Sequence, residues 1–422
     1  MTTTIEHPVI SAAPPRNWKT AIVLSILAVI TVLFFGILGS TEQSRFVWSD
    51  AGDVIVLPAM SVQANALGLV AGILMLILSV WSFLRARRHA ATPLWIMIIA
   101  GLLFVASLLA NVGAGHNVPV VFLLTGTIAL STAVIFGSLA GVIGERVGVV
   151  NIAIEGQLLA GAFVSAVAAS ITGSLAVGLF AAMIGGALVS MVLAAFSMRY
   201  FVDQIVVGVV LNGLVIGLTN FFYSAVLSGN SREWNFPGTL PRLAIPGLSN
   251  IPVIGPVFFD QRITTYLMFV LVPLVWFVLF KTRWGLRIRA LGEHPLAADS
   301  VGINVNRTRF WTVSLAGTIA GFGGAALTLG SVGAFVREMS AGQGFIALAC
   351  VILGRWNPWM AAMAALLFGF SRNFRIWAGQ VGSPIPPDLI AMTPYLVTLI
   401  AVAVLVGKAV GPAAAGKAYS KE

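Results

Sequence analysis

Apolar residues in this chain run in blocks of about 20 without internal polar alternation, as in Ala21–Leu38. A helix of that length crosses a hydrocarbon core of about 30 Å, whereas a barrel strand would alternate apolar and polar positions over about 10 residues. The pattern predicts helical spans at Thr20–Gly39, Ser61–Leu84, Thr92–Ala110, Val118–Ile143, Asn151–Ile171, Leu175–Ser197, Ile205–Leu227, Thr264–Phe280, Phe310–Gly330 and Leu389–Val406. Two shorter blocks, Gly344–Leu353 and Pro358–Phe370, are separated by Arg355, Trp356 and Asn357, with Pro358 opening the second. Neither crosses unaided, so they form two short spans or one re-entrant hairpin. The expected fold class is therefore all-α: a polytopic membrane protein of about 10–12 transmembrane helices with broken or re-entrant segments.

Composition agrees with the pattern. Of 422 residues, 59% are hydrophobic and only 9% charged, against roughly 25% charged in soluble domains. The net charge of +10 does not point to nucleic acid, because no recognition helix or basic-aromatic patch accompanies it. It belongs with Lys and Arg at the cytoplasmic ends of helices, facing anionic lipid. Arg85, Arg87 and Arg88, the cluster from Lys281 to Arg309, and Lys408, Lys417 and Lys421 all fall on one side if the N-terminus is inside. The reverse orientation inverts the excess, so both termini are expected in the cytoplasm. The apolar block after Arg16 and Lys19 is too long for a secretory signal, and residues 1–17 read as a disordered tail. Cys350 stands alone in an apolar block, which leaves no disulfide framework or Cys-rich metal site. No segment between spans is long enough to fold alone, so any ATPase or receptor is another chain.

Several stretches carry candidate chemistry. Gly411–Lys417 reads G-P-A-A-A-G-K, but Ala418 stands where a P-loop needs Ser or Thr, and no strand precedes it. It reads as a flexible basic tail. The stretch from Gly144 to Gly156 places Glu145, Arg146, Asn151 and Glu155 among glycines between two spans. A carboxylate at the bilayer centre costs about 2.5–3.5 kcal/mol even on lenient scales. Glu155 therefore either sits at a helix N-terminus near the interface, where the dipole stabilises it, or lines a translocation path. Glu145 and Arg146 are expected to pair with each other, as are Arg199 and Asp203. In the inner loop, Pro295 suits the first turn of a short helix, Ala297 and Ala298 give it a small flat face, and Gly302 ends it; Glu293 and His294 precede it. Phe335–Ala349 holds Glu338, Gln343 and Phe345 around Gly342 and Gly344. Gly-rich breaks of this kind mark binding sites in transporters, and an amide beside a ring suits a polar heterocycle. Asn212 is an intramembrane amide, suited either to interhelical bonding or to substrate contact.

The stretch E-R-V-G-V-V-N-I-A-I-E-G (Glu145–Gly156) resembles the signature of the permeases of ATP-binding-cassette importers for nucleosides and simple sugars, relatives of the ribose-type and branched-chain amino-acid permeases. D-Q-I-V-V-G-V-V-L-N (Asp203–Asn212), R-A-L-G-E-H-P-L-A-A-D-S-V-G-I-N-V (Arg289–Val305) and G-Q-G-F-I-A-L-A-C-V-I-L-G-R-W-N-P (Gly342–Pro358) agree with it. The resemblance covers roughly Val118–Val406. It implies a type II-like importer fold with a permease core at 113–408, a coupling loop at 282–308, an N-terminal transmembrane extension at 18–112 and a cytoplasmic tail at 409–422. It further implies that the chain itself is no enzyme and needs no cofactor or metal. The expected partners are a cytoplasmic ATP-binding subunit docking at Glu293, Ala297, Ala298 and Gly302, a second permease forming a heterodimer, an extracytoplasmic substrate-binding lipoprotein, and the lipid of a bacterial plasma (inner) membrane. Substrates are nucleosides or simple sugars. Candidate pathway residues are Asn151, Glu155, Asn212, Glu338, Gln343 and Phe345. On this reading Glu293→Lys uncouples the ATPase. Departures exist: Ala153 stands where the family often has Gly, and the inner loop keeps only part of the coupling pattern. The alternative is an ion-coupled secondary transporter, which needs a paired intramembrane carboxylate and a cation site. A membrane-embedded enzyme lacks any H-E-x-x-H or Asp-rich motif.

Overall fold

The computed structural model describes residues 18–49, 52, 54–382, 392 and 410–419. The tail at 1–17 and the span expected at Leu389–Val406 lie outside the described residues. Among these residues nine helices are long and apolar enough to cross a membrane, each overlapping one of the blocks read from the sequence. The chain divides into two compact units.

The first unit contains α1 (Lys19–Ile30, continued by a wide π turn to Ile37), strands β1 (Gln43–Val47) and β2 (Met60–Gln63), helices α2 (Ala64–Arg87) and α3 (Leu94–Val112), and strand β3 (Asn117–Pro119). Leu24, Ala28, Met75, Ile96 and Ala100 pack its apolar centre. The strands, unforeseen in the sequence, form a small sheet ordered β2-β1-β3, with β1 antiparallel to β2 (Gln43 opposite Gln63) and parallel to β3 (Arg45 opposite Asn117). Asn111 ties the helices where the π turn frees carbonyls. Its amide donates to Phe35 O (3.2 Å) and Ser107 O (3.0 Å) and accepts from Ser40 N (3.2 Å).

The second unit begins with α4 (Val120–Arg146) and continues through α5 (Ile154–Thr172), α6 (Leu175–Arg199) and α7 (Gln204–Phe222, with a π turn to Leu227). The loop that follows holds α8 (Ser231–Trp234), β4 (Arg242–Ala244) and β5 (Asp260–Arg262), the two strands pairing antiparallel. Then come α9 (Ile263–Lys281), α10 (Arg283–Glu293), α11 (Pro295–Ser300), α12 (Val305–Leu327, with a π turn to Val332), α13 (Gln343–Leu353) and α14 (Pro358–Gln380). Asp203 does not pair with Arg199. It caps α7, accepting from Ile205 N (2.8 Å) and Val206 N (3.2 Å); its carboxylate thereby serves the free amides and positive end of the helix dipole.

Helices α5, α6 and α12 meet along small residues. In a bilayer, lipid is as apolar as leucine, so helices associate by close packing rather than by expelling water. Gly161 of α5 and Gly186 of α6 both lie against the backbone of Gly321 in α12, and a Cβ at Gly321 would fall on the Ala182 carbonyl. Because the obstacle is backbone, the helices themselves must separate to admit a side chain. Gly321→Val should therefore cost about 3 kcal/mol, the upper end of overpacking penalties. A purified variant with the melting temperature of the wild type would contradict this.

The two short blocks near the C-terminal end differ in length. Helix α13 has 11 residues, roughly 17 Å at 1.5 Å per residue, half a hydrocarbon core. Helix α14 runs ten residues beyond the expected Phe370 to Gln380 and, with 23 residues, is long enough to cross. Between them Arg355 and Trp356 adopt positive φ (52° and 55°), which turns the chain sharply.

Candidate functional site

Both α5 and α13 start inside the second unit. Ile154, first residue of α5, packs against Gly137 and Gly141 of α4, and Gly137 also faces Ala347 of α13. This level is five to nine residues before the end of α4, roughly 8–14 Å along its axis. The connecting segment 147–153 therefore folds back into the protein instead of ending at a surface. Ser138 holds α13 there, donating to the Ala347 carbonyl at 3.2 Å.

Glu155 lies where the two helices begin. It is 4% exposed, in the first turn of α5, and its carboxylate takes the free donors that open α13. Oε1 accepts from Ser340 Oγ (2.6 Å) and Gly342 N (2.8 Å), and Oε2 accepts from Gly344 N (2.6 Å). One carboxylate thus faces two positive helix ends, an arrangement that offsets the cost of burying it. Gly344 permits the approach, since a Cβ there would fall on the Glu155 backbone. Gly342 is the left-handed residue (φ 78°) before α13. Glu155 is accordingly at an N-terminus, as one reading held, but within the unit rather than at its edge.

Four buried amides secure the segment that carries Glu155. Asn151 and Gln157 exchange two side-chain bonds (3.1 and 3.0 Å). Gln204 accepts from Val150 N at 2.8 Å. Asn212 accepts from Gly156 N (2.8 Å) and donates to Ile152 O (2.9 Å). Asn151 and Asn212 are thus placed in the support of Glu155, their amides engaged with protein. Gln157, Gln204 and Ser340 complete the set and were not singled out in the sequence.

The remaining pathway candidates divide. Gln343 is 2% exposed, and its Oε1 has no hydrogen-bond partner among the described residues. Phe345, two positions on, is 52% exposed. Glu338 lies apart from Glu155, exposed and accepting from Asn220 Nδ2 at 3.1 Å. Beside it Arg337 donates to Ser224 Oγ (2.6 Å) and stacks on Tyr223.

At the far end of α13, Trp356 connects the helix to the close of α4. Its Nε1 donates to Glu145 Oε2, while its carbonyl accepts from Arg146 Nε at 3.1 Å. Glu145 and Arg146 are not an ion pair; each holds a different part of Trp356. Arg146 and Arg289 both lie over the Phe280 ring, 5.4 and 5.2 Å from its centroid.

The loop at 282–308, expected on the inner side, forms the expected short helix, α11, with Gly302 (φ 87°) just beyond it. Its two alanines do not share a face: Ala298 is buried and Ala297 exposed. Residues 410–419, expected to be a flexible tail, are instead docked on this loop. Ala414 N donates to Gly292 O (2.8 Å), Ala413 N to Glu293 Oε2 (3.3 Å), and the Tyr419 hydroxyl reaches Asp299. Arg309, read from sequence as one more cytoplasmic cation, is 2% exposed. Its guanidinium donates to Val147 O (3.1 Å), Leu291 O (3.3 Å) and Lys417 O (3.2 Å). It thus joins the segment behind Glu155, the inner loop and the C-terminal segment. The apolar pattern holds no local sign of this, because the partners are backbone carbonyls distant in sequence.

Among the described residues no group of three or more His, Cys, Asp or Glu is placed to hold a metal. A polytopic helical unit with two helices starting inside it and a buried carboxylate between them suits a membrane permease. Residues 117–409 match the family described as the permease component of the branched-chain amino acid transport system, and the chain belongs to that family. It is 38% identical over 304 residues to the guanosine ABC transporter permease protein NupQ of Bacillus subtilis (70% of this chain, 95% of that protein). It is 41% identical over 308 residues to the nucleoside ABC transporter permease protein NupC of Lactococcus lactis (69% and 94%). It is 32% identical over 266 residues to the putative glucose ABC transporter permease protein TsgC13 of Haloferax volcanii (63% and 80%). No solved structure matches. The chain is thus a multi-pass permease subunit of ABC-importer type, and the family match begins after the first three long helices.

Proposed function

We propose that this permease carries nucleosides inward by alternating access, driven by a separate ATP-binding subunit that docks at the exposed Glu293, Ala297 and Gly302, the expected contact at Ala298 being withdrawn because that residue is buried. A second permease subunit completes the pathway and an extracytoplasmic lipoprotein delivers the substrate. Both termini lie in the cytoplasm, the side favoured by the basic residues. The observation that carries the reading is the meeting of two helix starts at Glu155, since discontinuous helices converging within the bundle are how transporters build a substrate site. The substrate class rests on the names of the two nucleoside relatives, together with the unpartnered amide of Gln343 at the start of α13. The unpartnered amide oxygen of Gln343 can accept from the donor edge of a nucleobase, while Phe345, two positions on, points to another face of α13.

The test is uptake of radiolabelled guanosine by cells expressing the chain with its neighbouring permease, ATPase and binding protein. Uptake abolished by disabling the ATPase and competed by unlabelled nucleosides, but not by ribose or galactose, is expected. Competition by the free sugars would transfer the substrate to monosaccharides. Uptake indifferent to the ATPase would favour the ion-coupled alternative. Gln343→Ala should raise the KM for guanosine about fivefold, the loss of one hydrogen bond of about 1 kcal/mol, with little change in maximal rate. An unaltered KM would remove Gln343 from the pathway.

A further inference from the structure

Away from Glu155, a cavity of about 400 Å³ opens between α10 and the start of α12. Arg287 and Arg307 line it, with Trp284, Trp311, Asn304 and Thr312; no acidic residue is among the lining residues. The two arginines are exposed; the nearest acids in sequence are Glu293, whose Oε2 accepts from Ala413 N, and Asp299, which Tyr419 engages. Asn304 caps α12, accepting from Arg307 N at 2.9 Å, so the positive end of a 23-residue helix adds to the two guanidinium charges. Thr312 is 1% exposed and its hydroxyl has no partner among the described residues, which leaves an unused donor at the wall.

The cavity is where α12 begins its span and α10 follows the span of α9. Tryptophan favours that depth, with its ring in the acyl region and its N–H toward the headgroups. Trp311 (58% exposed) and Leu315 (45%) continue from the cavity along the outer face of α12, an apolar strip one helical turn long. Basic charge at the mouth and an apolar strip leading away match a molecule with a phosphate at one end and hydrocarbon at the other. Gly302 of the proposed ATPase contact also lines the cavity, so a lipid here would sit beside that contact; the strip along Trp311 and Leu315 is the part a soluble partner would not need.

We propose that this cavity binds the phosphodiester headgroup of an anionic phospholipid, with Arg287 and Arg307 on the phosphate oxygens and an acyl chain along Trp311 and Leu315. Guanidinium forks suit phosphate oxygens geometrically as well as by charge. The purified, delipidated full-length chain is exchanged with phosphatidylglycerol or phosphatidylcholine, and the retained lipid is counted by native mass spectrometry. Retention of phosphatidylglycerol at least tenfold above phosphatidylcholine is expected. Arg287→Gln with Arg307→Gln should erase that preference, whereas Arg287→Lys with Arg307→Lys should keep part of it. Millimolar inorganic phosphate should not displace the lipid. Equal retention of the two lipids, or an unchanged preference in the double glutamine variant at wild-type melting temperature, overturns the proposal. Full displacement by phosphate makes this a free-anion site and overturns the lipid assignment. Loss of ATPase subunit assembly in the glutamine variant, with lipid preference intact, gives the surface to the protein partner instead.

Discussion

Glu155→Gln should reduce uptake more than tenfold at equal surface expression. The carboxylate accepts three bonds, from Ser340 Oγ, Gly342 N and Gly344 N, and donates none. Glutamine keeps the size but turns one acceptor into an NH₂ group, which must then face a backbone N–H or a hydroxyl that has no other acceptor. Losing a bond to a charged acceptor costs about 1.5–3 kcal/mol, and a buried donor left unpaired costs about 1–3 kcal/mol more. The start of α13 is then released from α5, and with it Gln343 and Phe345. Glu155→Asp keeps the charge but withdraws it by one methylene, so an intermediate loss is expected. Wild-type uptake in the Gln variant would show that the junction of α5 and α13 takes no part in transport.

Arg309→Gln should uncouple the inner loop from the segment behind Glu155 and free the C-terminal segment. Arg309 donates to the carbonyls of Val147, Leu291 and Lys417. Glutamine lacks the reach and the donors to serve all three, and two lost charge-assisted bonds amount to about 3 kcal/mol or more. Trypsin offers a direct readout, because Lys417 is held in the docked segment. Release of residues 418–422, followed by mass spectrometry, should quicken by at least tenfold in the variant, together with lowered uptake. Lysine at 309 should fail similarly, since a point charge does not span three carbonyls. Equal cleavage rates in wild type and variant would show that Arg309 does not hold the segment.

Much of this architecture was legible in the chain because membrane spans are written as unbroken apolar blocks, and nine of the expected ones coincide with long apolar helices. The Gly-rich break around Gln343 was legible as well, since Gly342 takes a left-handed φ and Gly344 admits the Glu155 backbone. What stayed hidden depended on distant partners. Nothing near Glu155 in sequence names Ser340, and Trp356 read as a spacer although both Glu145 and Arg146 bind it. The expected pairs Glu145–Arg146 and Arg199–Asp203 rested on proximity and opposite charge. In the folded chain a helix terminus or an indole N–H outcompetes the neighbouring cation. The C-terminal segment was misread for the same reason: small and basic residues resemble a solvated tail until a carbonyl at Gly292 and a guanidinium at 309 supply its bonds.

The joint at Arg309 also fixes an order in time. Its third carbonyl, on Lys417, is 108 residues further along the chain. At synthesis rates of about 5–20 residues per second, that is a delay of roughly 5–20 s. For that interval Arg309 stands at the head of α12 with one acceptor missing, and the Gly292 carbonyl waits for Ala414. Helices α12, α13 and α14 are all synthesised before Lys417. The joint at Arg309 can thus close only after α4–α14 have been synthesised, when the C-terminal segment meets the loop at 282–308. A chain truncated after Gln380 would carry α4–α14 in full and still lack the bonds that residues 410–419 make to the loop at 282–308.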